Sequence, residues 1–207
     1  MNHMTSTEIA WGRPLWLGLL IGVSAALTTA FAGITPFVAI GVIATMTVSR
    51  RSALGLTVAA WFANQAVGFG LLHYPWTKNS VAWGVTLSSA AVVATLTAQW
   101  VVARLSAAPS TMQAFAAFVS AFAVYELGLY TLAMAALGGT QGFAPSIVSQ
   151  VLTVNIVTLL GLYGLNQLAA VGRLVGWRAL AYLRRGDSRR VSIAGAIDAR
   201  IASRASR

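Results

Sequence analysis

The feature that most constrains this chain is a long stretch nearly empty of charge. Between Arg13 and Arg173 the only charged residue types are Arg50, Arg51, Lys78, Arg104 and Glu126. They divide the stretch into apolar runs near the about 17–25 residues that a helix needs to cross a bilayer. A chain patterned this way folds with lipid as its solvent. The expected fold is therefore all-α: a polytopic membrane bundle of six transmembrane helices.

Composition locates the remaining charge. The 207 residues are 57% hydrophobic and 9% charged, against about 25% charged in a soluble domain. The net charge of +10 belongs mostly to the C-terminus, since Arg173, Arg178, Arg184, Arg185, Arg189, Arg190, Arg200, Arg204 and Arg207 are nine of the 14 basic residues. Such a tail suits anionic headgroups of the lipid bilayer, and no nucleic acid partner is expected. The absence of cysteine excludes disulfides and thiolate chemistry.

Three regions follow: a short N-terminus (1–13), a transmembrane domain (14–171) and a basic tail (172–207). The expected spans are 14–32, 34–49, 53–72, 81–103, 112–137 and 145–171. The second is short for a full crossing and follows the break Gly33-Ile34-Thr35-Pro36. Arg13, Arg50, Arg51, Arg104 and the tail arginines fall at one set of span ends, and Lys78 alone at the other. The positive-inside rule then places both termini in the cytoplasm of a bacterial-type inner membrane. In the tail, Leu174, Trp177, Leu180 and Ala181 recur at helical spacing among arginines, as in an interfacial amphipathic helix. A rival reading takes residues 1–32 as a cleaved signal peptide, because Ala30-Phe31-Ala32 imitates a cleavage site.

Polar residues inside spans need a reason. Glu126 is the only acid within them. Asn64 and Gln65 supply amide donors and acceptors below an outward loop carrying His73, Tyr74, Trp76 and Lys78. Gln141, Phe143 and Gln150 gather near the last outward loop, and Asn155 lies deeper. Aromatics with a few convergent polar groups are the usual make-up of a small-molecule site. The expected ligand-binding set is Asn64, Gln65, His73, Tyr74, Trp76, Glu126 and Asn155. Its rivals are an aromatic interfacial belt for the loop and helix-packing hydrogen bonds for Asn155. His73 is isolated from His3, so any metal role is limited to one imidazole ligand. In the first span Gly18, Gly22, Ala26 and Ala30 form a small-residue stripe that permits close helix approach. No catalytic or nucleotide-binding motif is present, so neither an enzyme nor a resident cofactor is expected.

These features resemble the substrate-binding subunit of an energy-coupling-factor vitamin transporter. The likeness covers roughly residues 14–171 and rests on six spans, cytoplasmic ends and a small-residue first helix. Ala26-Leu27-Thr28-Thr29-Ala30 fits the Ala-x-x-x-Ala element with which that family's first helix docks on its coupling module. Size and aromatic loading are similar to the solitary cobalamin-related members, although those are known for a cobalt-binding cysteine that this chain lacks. The resemblance implies capture of a vitamin, cobalamin-like or metal-related ligand from the outer side. It also implies docking of membrane and ATPase subunits at Gly22, Ala26 and Ala30. Two other classes remain open: a non-transporting membrane scaffold and a proton-coupled secondary carrier.

Overall fold

A computed structural model of the chain describes residues 35–168 together with Gly18 and Gly22. The chain divides into two compact units, 1–162 and 163–207. Of the second, only Tyr163–Leu168 are described, as the closing turns of the last helix. The expected span 14–32 (apart from its two glycines), Ala26, Ala30, the alternative of a cleaved leader and the basic tail all lie outside the described residues.

All regular structure among the described residues is helical. The elements are α1 (Phe37–Thr47), α2 (Arg50–Gly70), α3 (Lys78–Arg104), α4 (Ser110–Leu132) and α5 (Pro145–Leu168). A π-helical turn (Ala133–Leu137) prolongs α4, and a 3-10 turn (Thr140–Phe143) precedes α5. Three segments are long and apolar enough to cross a membrane: Lys78–Arg104, Ser110–Leu137 and Pro145–Leu168. They coincide with the last three expected spans. The third expected span is helical and, at 21 residues, long enough. It is not among the three because Arg50, Arg51, Thr57, Asn64 and Gln65 dilute its apolar character.

The second expected span is corrected most. Its helix is only the 11 residues of α1. At about 1.5 Å per residue it covers roughly half of a hydrocarbon core about 30 Å thick. Pro36 stands at its N-cap, where a missing N–H costs nothing. At the other end Val48 leaves the helix, and Ser49 caps α2 by accepting from the Ser52 backbone N–H. The chain thus turns back at once, with Arg50 and Arg51 at the start of α2.

α1 is the centre of the bundle. Every residue from Thr35 to Ala44 is buried, and the helix packs against α2, α3 and α4. Around it, α3 pairs most extensively with α4. The facing residues are small: Ala91, Ala94 and Ala98 are buried on α3, and Ala114, Ala117 and Ala121 on α4. Many large apolar side chains of the outer helices point outward, including Val85, Val93, Leu96, Phe115, Val119, Leu127, Val157 and Leu160, while Phe118, Tyr125 and Leu129 of α4 point in. An apolar face of that extent is unsuited to water. Alanines on the buried faces of two closely paired helices, with large apolar residues exposed on their outer faces, are the arrangement expected where lipid is the solvent and close backbone approach drives helix association.

Polar contacts tie the helices at two levels below the top of α1. Thr57 and Thr95 share a hydrogen bond of 2.9 Å between α2 and α3. Each hydroxyl also lies within hydrogen-bond distance of a carbonyl one turn back, that of Ala53 or Ala91. Gly41 lets α1 reach this pair, because a Cβ there would sit 2.5 Å from Thr95 Oγ1. At the arginine-bearing end, Gln99 Nε2 donates to the Arg50 carbonyl, which fixes the end of α3 beside the start of α2. Trp100 lies nearby with the Arg104 guanidinium 5.3 Å from its ring centroid.

Candidate functional site

The break before α1 leaves backbone donors at a helix start buried inside the protein. Irregular backbone at such depth must be satisfied by protein groups. One amide, Asn155, meets this need directly, and two others gather at the same helix end. Asn155 on α5 accepts from the Ala39 backbone N–H at 3.1 Å, and its Nδ2 donates to the Val151 carbonyl at 3.0 Å. Asn64 on α2 donates through Nδ2 to Thr35 Oγ1. Gln65 Nε2 in turn donates to Asn64 Oδ1 at 3.0 Å. Thr35, Asn64 and Asn155 are all buried, and Gln65 is half-buried.

The neighbouring face of α3 is built to admit Gln65. A Cβ at Gly84 would meet Gln65 Oε1 at 2.6 Å, so glycine is required for this approach. One turn earlier on the same face of α2, Trp61 Nε1 donates to the Gly84 carbonyl at 2.7 Å. Helices α1, α2, α3 and α5 therefore converge on one polar knot. It offers neutral donors and acceptors around a helix N-terminus, whose partial positive charge favours an electron-rich group.

Three expected site residues come together here: Asn64, Gln65 and Asn155. His73, Tyr74 and Trp76 do not join them through any hydrogen bond or ring contact. They form a separate aromatic ledge where α2 ends. Trp76 stacks on Phe69 with centroids 4.3 Å apart, and Tyr74 meets Phe69 edge-on at 6.2 Å. Tyr74 lies over Gly68, where a Cβ would come within 2.8 Å of its ring. His73 is exposed with φ 55°, a left-handed residue closing the helix end, and the Tyr74 backbone N–H reaches back to the Gly68 carbonyl at 3.0 Å. Trp76 is 78% exposed, as an interfacial anchor would be.

Glu126 stands apart from both groups. Its neighbour Tyr125 is the buried residue that faces α1, with its ring 6.5 Å from Phe37. Glu126 is about 100° further round the helix and half-buried. It forms no hydrogen bond or ion pair with a described residue. Gln141 and Gln150 are exposed, whereas Phe143 packs edge-on against Tyr130 at 5.3 Å. A turn away, Gly138 and Gly139 adopt φ 72° and 81°, and Gly139 runs close to the Trp83 ring. No group of three His, Asp or Glu side chains able to hold a metal occurs among the described residues.

Sequence reasoning missed Thr35, Trp61 and Gly84 as members of the knot. The Thr35-Pro36 break before an unusually short apolar run was the available signal for the first. Nothing in the sequence marked Gly84. Comparison with known protein families, characterised proteins and solved structures finds no match to this chain.

Proposed function

We propose that this is a multi-pass inner-membrane protein, of six spans in all, that captures a small solute at the polar knot above α1. The observation that supports this reading most is the buried half-helix with Thr35, Asn64, Gln65 and Asn155 gathered at its N-terminal end. Discontinuous helices whose N-termini meet polar side chains deep in a bundle are a recurring form of transporter binding site. The basic span ends support a reading in which the knot lies nearer the outer face and both termini are cytoplasmic. A solute with a carbonyl or carboxylate oxygen suits the helix N-terminus and the amide donors. It enters by exchanging the bonds these groups make with one another. Gln65, half-buried and beside Gly84, is the member it meets first. The vitamin-transporter resemblance supports the same class of ligand, and the Phe69, Tyr74 and Trp76 ledge offers an aromatic face at the mouth.

The test is to purify the protein in mild detergent and read its native mass and absorption spectrum for a retained small molecule. A retained solute that is lost in Gln65→Ala, with the fold unchanged, is expected. An empty protein that shows no thermal shift across a panel of vitamins and organic acids contradicts the reading.

One observation favours a second reading, docking of a partner membrane subunit on the first helix. Gly18 and Gly22 are helical and exposed, and a Cβ at either would touch nothing. Recovery from native membranes of a stable complex that carries no solute, and that is lost in Gly22→Leu, would favour it.

A further inference from the structure

We propose that Glu126 is a proton-exchange site, separate from the polar knot, whose carboxyl takes up and releases a proton from within the membrane. Glu126 lies in the interior of the apolar segment Ser110–Leu137. Its flank of α4 is open rather than packed. Val119, two turns earlier on the same face, and the adjacent Leu127 are exposed. A carboxylate in such a place must be paired, hydrated or neutralised, since an isolated ion in an apolar medium is very costly.

No countercharge among the described residues is available to it. α1, α3 and its own π-helical extension pack against α4, and α5 carries one titratable side chain, Tyr163. α1 and the extension carry no titratable side chain. α3 carries only Lys78 and Arg104, at its two extremities. On α4 itself the titratable neighbours are Tyr125, buried against Phe37, and Tyr130, which meets Phe143. The sequence extends the point beyond the described residues: no charged residue type occurs from 14 to 49, and none from 127 to 172. Every basic residue between Arg13 and Arg173 stands at a helix end: Arg50, Arg51, Lys78 or Arg104. With no cation to pair and no hydrogen-bond partner among the described residues, the proton is the counterion that remains. Because one flank is open, the carboxyl is not sealed in the protein core and lies within reach of a membrane-soluble reagent. The inference does not depend on what the knot binds. If the solute reading also holds, Glu126 is the group through which a proton gradient would act on it.

The test uses the full-length protein in lipid nanodiscs with no solute added. A hydrophobic carbodiimide reacts with a neutral carboxyl in apolar surroundings and leaves an N-acylurea that peptide mass spectrometry locates. The expected result is an adduct at Glu126 that diminishes as the buffer is moved from mildly acidic to alkaline. The adduct should be lost in Glu126→Gln and kept in Glu126→Asp, so a folding failure of the first variant is recognised by the second. Infrared difference spectra across the same range should show a protonated carboxyl band that disappears in Glu126→Gln. Absence of both adduct and band throughout overturns the proposal. So does labelling that ignores pH but is blocked by sodium, which would make the site one for a metal cation. Failure of solute retention with labelling intact would sink the knot's assignment and leave this one standing.

Discussion

α1 and α4 are both strongly apolar, yet they use that character in opposite ways. From Thr35 to Ala44 the chain at α1 is buried on every side. On α4 the burial runs along Ala114, Ala117, Phe118, Ala121, Tyr125 and Leu129, while Phe115, Val119 and Leu127 face outward. In water the large residues would be sorted to the inside. In lipid, apolar character does not separate inside from outside, because the tails are as apolar as leucine. Residue size and hydrogen bonding decide instead. α1 is central because Gly41 admits Thr95 and because Asn155 holds its first turn, not because it is the most hydrophobic segment.

Four substitutions sharpen that contrast, in order of expected effect on thermal stability in detergent. Gly41→Val places atoms where Thr95 already stands, and overpacking there should cost on the order of 3 kcal/mol. Asn155→Leu keeps the volume but leaves the Ala39 N–H without its acceptor, for a loss of about 1–2 kcal/mol. Thr57→Val removes one hydroxyl of the shared pair, while Thr95 keeps its bond to the Ala91 carbonyl. Its loss should be about 0.6 kcal/mol, as is usual for interhelical hydrogen bonds in membranes. Leu127→Ala, at a position 64% exposed, should change stability by less than about 0.5 kcal/mol. A loss at Leu127 as large as that at Gly41 would show that Leu127 is packed rather than facing outward, and the contrast would collapse.

Much of the architecture was legible in the sequence. Charge spacing and Pro75, Pro109 and Gly138-Gly139 bounded α3, α4 and α5 to within a few residues. These segments are long and uniformly apolar, and their turns carry strong local signals. The half-helix was legible only as an anomaly, a span too short to cross. Its start is marked locally by Pro36, whereas its complete burial comes from packing against three other helices, which local pattern does not record. Asn64, Gln65 and Asn155 were identifiable because buried amides are expensive in lipid. That Asn64 and Asn155 meet the same helix end, 91 residues apart in sequence (155 − 64), is a fact of topology. His73, Tyr74 and Trp76 share the aromatic composition of a binding mouth and of an interfacial belt, so composition alone could not place them.

The measurement that most directly tests the half-helix is a cysteine scan, for which a chain without native cysteine is ready as it stands. Single cysteines would be placed from Val38 to Ala44 and, for comparison, at Phe115, Val119 and Leu127. Each would be treated in membranes with a water-soluble and a lipid-soluble maleimide. The α1 positions should resist both reagents at every residue, while the α4 positions should react with the lipid-soluble one alone. A period of lipid reactivity along α1 every three to four residues would contradict the account. It would make α1 an ordinary peripheral helix and leave the polar knot without a buried helix end to serve.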